Sequence, residues 1–207
     1  VFNYQLLIAQ FVILEIIQKP IYMLKLHVKN ETGKLKSVIL GRADSSGPTP
    51  LAEEAYDPKS LQHIQAGTYP LEQDMVGEMN AFENILTKHS VEVIRPRLIP
   101  DLNQIFTRDI GFVIDDKFIK SNILPDRADE WDAIDFILQQ IEPEKFIIPP
   151  QQVHIEGGDV ILWNDYIFIG SYYGLDYADI NTARTNKAGV EFINDLFPKK
   201  TIIDCDL

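Results

Sequence analysis

The chain has 207 residues, of which 45% are hydrophobic and 24% charged, and its formal net charge is −12. This composition is that of a globular protein and excludes a disordered chain. The acidic balance argues against nucleic acid as a partner, because there is no Lys/Arg stripe to neutralise phosphates, and it is compatible with a cationic substrate.

Residues 1–22 are predicted to be a non-native or flexible extension, and residues 23–207 to belong to a single folded domain. The apolar stretch within 6–17 is interrupted by Gln10 and Glu15 and has no basic leader. Since a membrane-spanning helix needs roughly 18 continuous apolar residues, no membrane partner is expected. An amphipathic N-terminal helix is the alternative for this segment.

Between residues 23 and 94, alternation and spacing predict two short strands, a long loop, an amphipathic helix and a further strand. The strands are expected at 24–28, 37–40 and 91–94. The loop is expected at 44–66, a stretch that contains three prolines. The helix is predicted from apolar residues at helical spacing: Met75, Met79, Phe82 and Leu86.

The next stretch has the pattern of a hairpin, a helix and a strand. Strands at 110–114 and 117–120 flank an Asp-Asp turn, and a buried strand is expected at 146–148. Pro143 is expected to end the helix, because proline cannot continue it. The helix is predicted from a set of apolar residues: Ile134, Ile137, Leu138 and Ile141.

A third stretch repeats this order, with a hairpin at 160–163 and 166–169 and a strand at 201–203. Thr185 is expected to cap its helix, which is predicted from Val190, Ile193, Leu196 and Phe197. Successive helices recur with a period of about 55 residues, which is typical of a radial or stacked repeat. An ordinary α+β domain with coincidental spacing is the alternative.

Two acidic motifs each precede one of these hairpins: Asn103-Gln-Ile-Phe-Thr-Arg-Asp109 and His154-Ile-Glu-Gly-Gly-Asp159. Their position places carboxylates at the mouths of two hairpins. A guanidinium offers up to five N–H donors in one plane, and carboxylate oxygens in matching geometry recognise it. The alternative is a structural role, in which each aspartate stabilises a turn. Arg108 alternates with Asp109, so we expect it to point away and to form a structural ion pair.

The chain is expected to hold no metal and no cofactor. There is no Cys-x-x-Cys motif or Cys/His cluster, so a structural zinc site is not predicted. The lone cysteine, Cys205, excludes an intramolecular disulfide framework and favours a cytoplasmic protein. It lies between two acidic residues, an unfavourable setting for a thiolate, and is not expected to be a nucleophile. His154 is interpreted as a structural histidine.

The two motifs, in this order and each opening a repeat, resemble the guanidino-group-modifying superfamily: arginine deiminases, amidinotransferases and dimethylarginine hydrolases. The resemblance implies the pentein fold, an α/β propeller of five ββαβ units, of which about three are present from about Lys25 onwards. Chemically, it implies that a cysteine thiolate attacks the guanidino carbon of arginine or a derivative and forms a covalent amidino intermediate. Water then gives a deiminase, and an amine gives an amidinotransferase.

The resemblance also implies roles for individual residues. Asp109 and Glu156 would bind the substrate guanidinium, with Glu156 also assisting proton transfer. Asn103 would lie near the amino-acid end of the substrate, and Arg127 is the candidate to bind its carboxylate. Two further members of the motifs, Phe106 and Asp159, complete the predicted substrate-binding set.

In members of this superfamily a His-x-Asp motif and the nucleophilic cysteine lie in the fourth and fifth units. No His-x-Asp occurs in these 207 residues, which end at Leu207 about where a fourth unit should open. The chain is therefore expected to be a fragment that is inactive alone. A non-catalytic pentein-fold binding protein and a fragment without function are the alternatives, and a homo-oligomer is possible in either case.

Overall fold

Apolar residues at strand and helix spacing build three small sheets in the computed structural model, which describes residues 24–55, 57–122, 124–174 and 181–207. The prediction for residues 1–22 lies outside the described residues. No helix in these described ranges is long and apolar enough to cross a membrane.

The first sheet contains two parallel strands, β1 (Ser37–Ile39) and β2 (Glu92–Ile94). They are connected through two helices, α1 (Pro58–Ala66) and α2 (Glu72–Lys88). Leu86 of α2 is buried against Leu40 and Val91, so the amphipathic prediction for this helix is confirmed. Phe82, which was included in its apolar set, is 49% exposed.

Two predictions for this first part were wrong. Residues 24–28 form only an isolated bridge, between Val28 and Asp115, because they run across a hairpin turn and not beside a strand. The predicted loop at 44–66 contains α1. The signals for this helix were present in the sequence: Asp57 accepts from two backbone N–H groups at its start, and Gly67 ends it in the left-handed region with φ 65°.

The second sheet has the predicted hairpin, β3 (Gly111–Ile114) and β4 (Lys117–Lys120), which pair antiparallel. After helix α4 (Glu130–Leu138), strand β5 (Phe146–Ile147) pairs parallel to β4. The one-turn helix α3 (Thr107–Ile110) comes directly before β3. The helix ends before Ile141, so Pro143 does not stop it. The strand is also less buried than predicted, since Ile148 is 65% exposed.

The third sheet repeats the second, with β6 (Val160–Trp163) antiparallel to β7 (Tyr166–Ser171). After helix α5 (Lys187–Leu196), strand β8 (Thr201–Asp206) pairs parallel to β7. The turn residues Asp115 and Asn164 have φ of 52° and 55° in the equivalent hairpins, a conformation that Asp and Asn tolerate better than most residues.

The hairpin of the second sheet (the second hairpin) and that of the third sheet (the third hairpin) differ in burial on corresponding faces. Phe112, Ile114 and Ile119 are buried in a cluster that includes side chains of the third sheet, such as Val160 and Ile167. Their equivalents in the third hairpin, Ile161, Trp163 and Phe168, are 54%, 50% and 37% exposed. The shared cluster holds the two hairpins together, and with them the motifs that precede each one.

Candidate functional site

The two acidic motifs touch through their backbones. The first enters β3 through α3, and the second enters β6 through a short 3-10 turn (Gly157–Asp159). A Cβ at Gly157 would lie 2.1 Å from the carbonyl oxygen of Arg108, and one at Gly158 would lie 2.6 Å from Asp109 Oδ1. Only glycine permits this approach, which is why the Gly-Gly pair separates Glu156 from Asp159.

Glu156 is a buried carboxyl group whose pKa is strongly raised. The residue is 7% exposed, and its carboxylate accepts a hydrogen bond from Arg184 Nη1 at 3.1 Å. Burial, and after it the nearby charge of Asp109, raise its pKa to about 7, although Arg184 and Arg127 oppose the rise. A carboxyl group with this pKa exchanges its proton near neutral pH.

Asp109 is bound to a guanidinium that belongs to the chain itself. Arg127 Nη1 donates to Asp109 Oδ2 at 3.1 Å and lies 3.9 Å from Glu156 Oε1. The same arginine bonds both oxygens of Glu130, at 2.6 and 3.2 Å. Burial lowers the pKa of Arg127, but the hydrogen bonds that it donates to Glu130 and Asp109, and the charges of those two carboxylates, outweigh this effect and raise the pKa, so the guanidinium stays charged.

Asp159 holds the loop before α5. Its Oδ2 accepts from the backbone N–H groups of Arg184 and Thr185, each at 3.0 Å, and from Thr185 Oγ1 at 2.7 Å. Thr185 was predicted to cap α5, and this was wrong, because Asn186 caps it by accepting from the N–H of Gly189. Thr185 is instead fully buried and accepts from the backbone N–H of Glu156 at 3.2 Å.

Two predicted substrate contacts lie on the segment that leads into α3. Asn103 is exposed, and its Oδ1 accepts from the backbone N–H of Ile105 at 3.2 Å. The Phe106 side chain is 58% exposed, while its carbonyl oxygen accepts from Arg127 Nη2 at 3.2 Å. The roles of both residues in binding substrate stay predictions.

Sequence reasoning missed two members of the cluster, Glu130 and Arg184. Glu130 is 1% exposed and lies in the first turn of α4, three residues after Arg127. That spacing is the signal that could have identified the pair. Arg184 reaches Glu156 because Asp159 binds the backbone N–H groups of Arg184 and Thr185. No local sequence pattern predicts this contact.

The cluster thus combines four carboxylates, from Asp109, Glu130, Glu156 and Asp159, with the guanidinium groups of Arg127 and Arg184. Carboxylates can accept hydrogen bonds from a planar cation, and here the cations that they bind are the guanidinium groups of Arg127 and Arg184. Across the described ranges, no group of three or more His, Cys, Asp or Glu side chains is arranged to hold a metal ion.

Comparison of the sequence with protein-family models finds no match. An uncharacterised protein of Bacillus subtilis, YkgA, is 33% identical over 126 residues, which are 59% of this chain and 39% of that protein. The chain therefore spans well under half of this relative.

Solved structures share the fold at low sequence identity. The inosamine-phosphate amidinotransferase of Streptomyces griseus superposes with a TM-score of 0.63 at 19% identity, over 88% of this chain and 63% of that protein. SxtG, an amidinotransferase of the saxitoxin biosynthetic pathway of Microseira wollei, gives 0.62 at 17% identity, over 86% and 62%. The dimethylarginine dimethylaminohydrolase of Pseudomonas aeruginosa, complexed with citrulline, gives 0.59 at 17% identity, over 84% and 62%.

Proposed function

We propose that this chain, which has the fold of the guanidino-group-modifying enzymes, forms the guanidinium-recognition part of an amidinotransferase or amidine hydrolase. The observation that carries the proposal is that Asp109 and Glu156, from separate motifs, each already hydrogen-bond a guanidinium. These contacts support the proposal, because carboxylate oxygens that accept from a guanidinium of the chain can accept from that of a substrate. Arginine or a close derivative is the substrate class that fits.

The carboxylates would act by orientation and proton transfer. Asp109 would hold one edge of the substrate guanidinium, and Glu156, whose pKa is raised to about 7, would exchange a proton with it. A thiolate would then form a bond to the guanidino carbon, and the C–N bond to the leaving amine would break as that amine takes up a proton. Water or an acceptor amine would release the resulting amidino group.

The resemblance assigns the thiolate and the protonating histidine to units beyond the three described above. We therefore propose the covalent step for a protein that includes those units, and we expect the 207 residues by themselves to bind substrate without turning it over. The comparisons support both reaction types, since amidinotransferases and an amidine hydrolase share this fold.

For the architecture, we propose three ββαβ units of a five-unit propeller. Support comes from the repeated pairing: in both the second and third sheets, an antiparallel hairpin is followed by a parallel third strand. The exposed face of Ile161, Trp163 and Phe168 corresponds to a face that is buried in the second hairpin, and a further unit would cover it.

Binding of L-arginine, followed by chemical-shift perturbation, tests the proposed function. We expect arginine to bind at least about tenfold more tightly than citrulline, because citrulline lacks the cation that the carboxylates recognise. Asp109→Asn and Glu156→Gln should each remove this preference. Glu78→Gln, which neutralises an exposed carboxylate on α2, is the control. Equal affinity for arginine and citrulline in the unmodified chain would contradict the proposal.

A further inference from the structure

Arg108 lies beside Asp109 in the first motif, yet its side chain binds the backbone of the second motif. Its Nε donates to the carbonyl oxygen of Gly157 at 2.9 Å, and its Nη2 donates to that of Val160. These carbonyls follow Glu156 and Asp159 directly in the sequence. The Arg108 guanidinium therefore binds the first residue of the Gly-Gly-Asp turn and the residue that follows this turn.

Glu31 holds the outer edge of the same guanidinium. Its two carboxylate oxygens accept from Arg108 Nη1 and Nη2 at 3.1 and 2.9 Å, and Oε1 also accepts from the backbone N–H of Leu162 at 3.1 Å. Glu31 is thereby tied to the first motif and to β6 at once. Burial raises the pKa of Glu31, but the hydrogen bonds from Arg108 and Leu162 lower it below its ordinary value, so the carboxylate is charged.

The residues before Glu31 cross the outer ends of both hairpins. Val28 exchanges two backbone hydrogen bonds with Asp115, at 2.8 and 2.7 Å, and the Lys29 carbonyl accepts from the N–H of Asn164 at 2.8 Å. Residues 28–31 therefore form a strap over the two turns, and this strap places Glu31 beside Arg108. The strap anchors the side chain that links the motifs.

We propose that Arg108 is a positioning residue that sets the separation between the carboxylates of Asp109 and Glu156, and that Glu31 keeps it in place. Arginine suits this role because its rigid fork of donors serves two carbonyls and a carboxylate simultaneously. Lysine presents a single ammonium on a flexible stem and cannot hold all three in the same plane. The inference concerns the geometry of the ligand-free chain and stands whether or not arginine is the substrate.

The pKa of Glu156, measured from its 13C carboxyl shift in the ligand-free chain, tests the proposal. It is governed by burial and by the charged groups that face it, which are Asp109, Arg184, Arg127 and Asp159. In Arg108→Lys the positive charge is kept but the motifs separate, so water enters and Asp109 moves away. Arg184 stays, because the loop held by Asp159 carries it. We expect the pKa to fall from about 7 by about one unit.

Arg95→Lys is the matched control, because Arg95 also donates to two backbone carbonyls, of Gly41 and Met79, and to one carboxylate, of Glu83. It lies in the first unit, so its replacement should lower the melting temperature and leave the pKa of Glu156 unchanged. An unchanged pKa in Arg108→Lys, with a lowered melting temperature, would overturn the proposal and leave Arg108 a purely structural residue.

A second pair of variants keeps the test decisive if Arg108→Lys fails to fold. Glu31→Ala removes the acceptor that holds Arg108, whereas Glu31→Gln keeps one carbonyl acceptor in the same place. We expect the pKa of Glu156 to fall in Glu31→Ala and to fall less in Glu31→Gln. If neither substitution moves that pKa, Glu31 does not hold Arg108 and the second half of the proposal is wrong.

Discussion

At the scale of single residues, Glu156 couples the site to pH. Because its folded-state pKa is about 7 and its ordinary value 4.5, the folded chain retains a proton in this interval that the unfolded chain has lost. The stability from the protonated group is fully present below pH 4.5 and is lost as the pH rises through 7. We expect a loss of about 3 kcal/mol, measured by urea denaturation at several pH values.

Glu156→Gln should flatten this dependence, because glutamine does not titrate. The exposed substitution Glu78→Gln should leave it unchanged. A stability curve for Glu156→Gln that keeps the full slope between pH 4.5 and 7.5 would mean that other groups produce it, such as Asp159, whose pKa is also raised.

The pair of Arg127 and Glu130 makes a second prediction at this scale. Glu130 is buried and bonds Arg127 through both oxygens. Arg127→Met should cost about 3 kcal/mol in the free energy of unfolding, because it removes the cation from a buried carboxylate. The double substitution with Glu130→Gln should cost less than the sum of the single changes. Additive costs in this double-mutant cycle would contradict a direct coupling.

At the scale of elements, α5 begins at a cap that also positions the second motif. Asn186 Oδ1 accepts from the N–H groups of Gly189 and His154, at 2.9 and 3.2 Å. Asn186→Ala should therefore cost about 1–2 kcal/mol in thermal or urea unfolding. Asn186→Asp preserves the acceptor and should cost less. Equal losses in the two variants would show that the cap contributes little.

The turn that carries the second motif makes a further prediction. Gly157→Ala would place its Cβ 2.1 Å from the Arg108 carbonyl oxygen, so the motifs must separate, and we expect a loss of stability above about 2 kcal/mol. Gly77, in the middle of α2, has open space around its would-be Cβ. Gly77→Ala should therefore stabilise the chain by about 0.5–1 kcal/mol. A tolerated Gly157→Ala would disprove the close approach of the motifs.

At the scale of the whole molecule, equivalent positions in two hairpins differ in burial. Phe112 is 8% exposed and Ile161 is 54% exposed, although each is the second residue of its hairpin. In the 207-residue chain, Phe112→Lys should cost more than about 3 kcal/mol, whereas Ile161→Lys should stay within about 0.5 kcal/mol and improve solubility. In a protein with a further unit, Ile161→Lys should become the costly change.

Both hairpins, the long helix and the strands that close the second and third sheets were predictable from sequence, since alternation and helical spacing are local properties. The parallel pairing of those closing strands was not predicted. The errors arose where local signals competed. Residues 24–28 alternate like a strand but lie across the Asp115 turn. Three prolines between 44 and 66 indicate a loop, whereas Asp57 and Gly67 are capping signals of a helix. Pro58 is compatible with the helix, because it lies at the first helical position, where proline is favoured.

The sequence alone determined the hairpins, the position of Asp109 and Glu156 at their mouths, and a resemblance whose implied fold is shared by solved amidinotransferase structures. These follow from neighbours along the chain. Tertiary structure alone decided the partners of the carboxylates. Arg127 and Arg184 bind Asp109 and Glu156 from 18 and 28 residues away. Burial and mutual charge, which shift the pKa of Glu156, exist only when the two motifs are packed together.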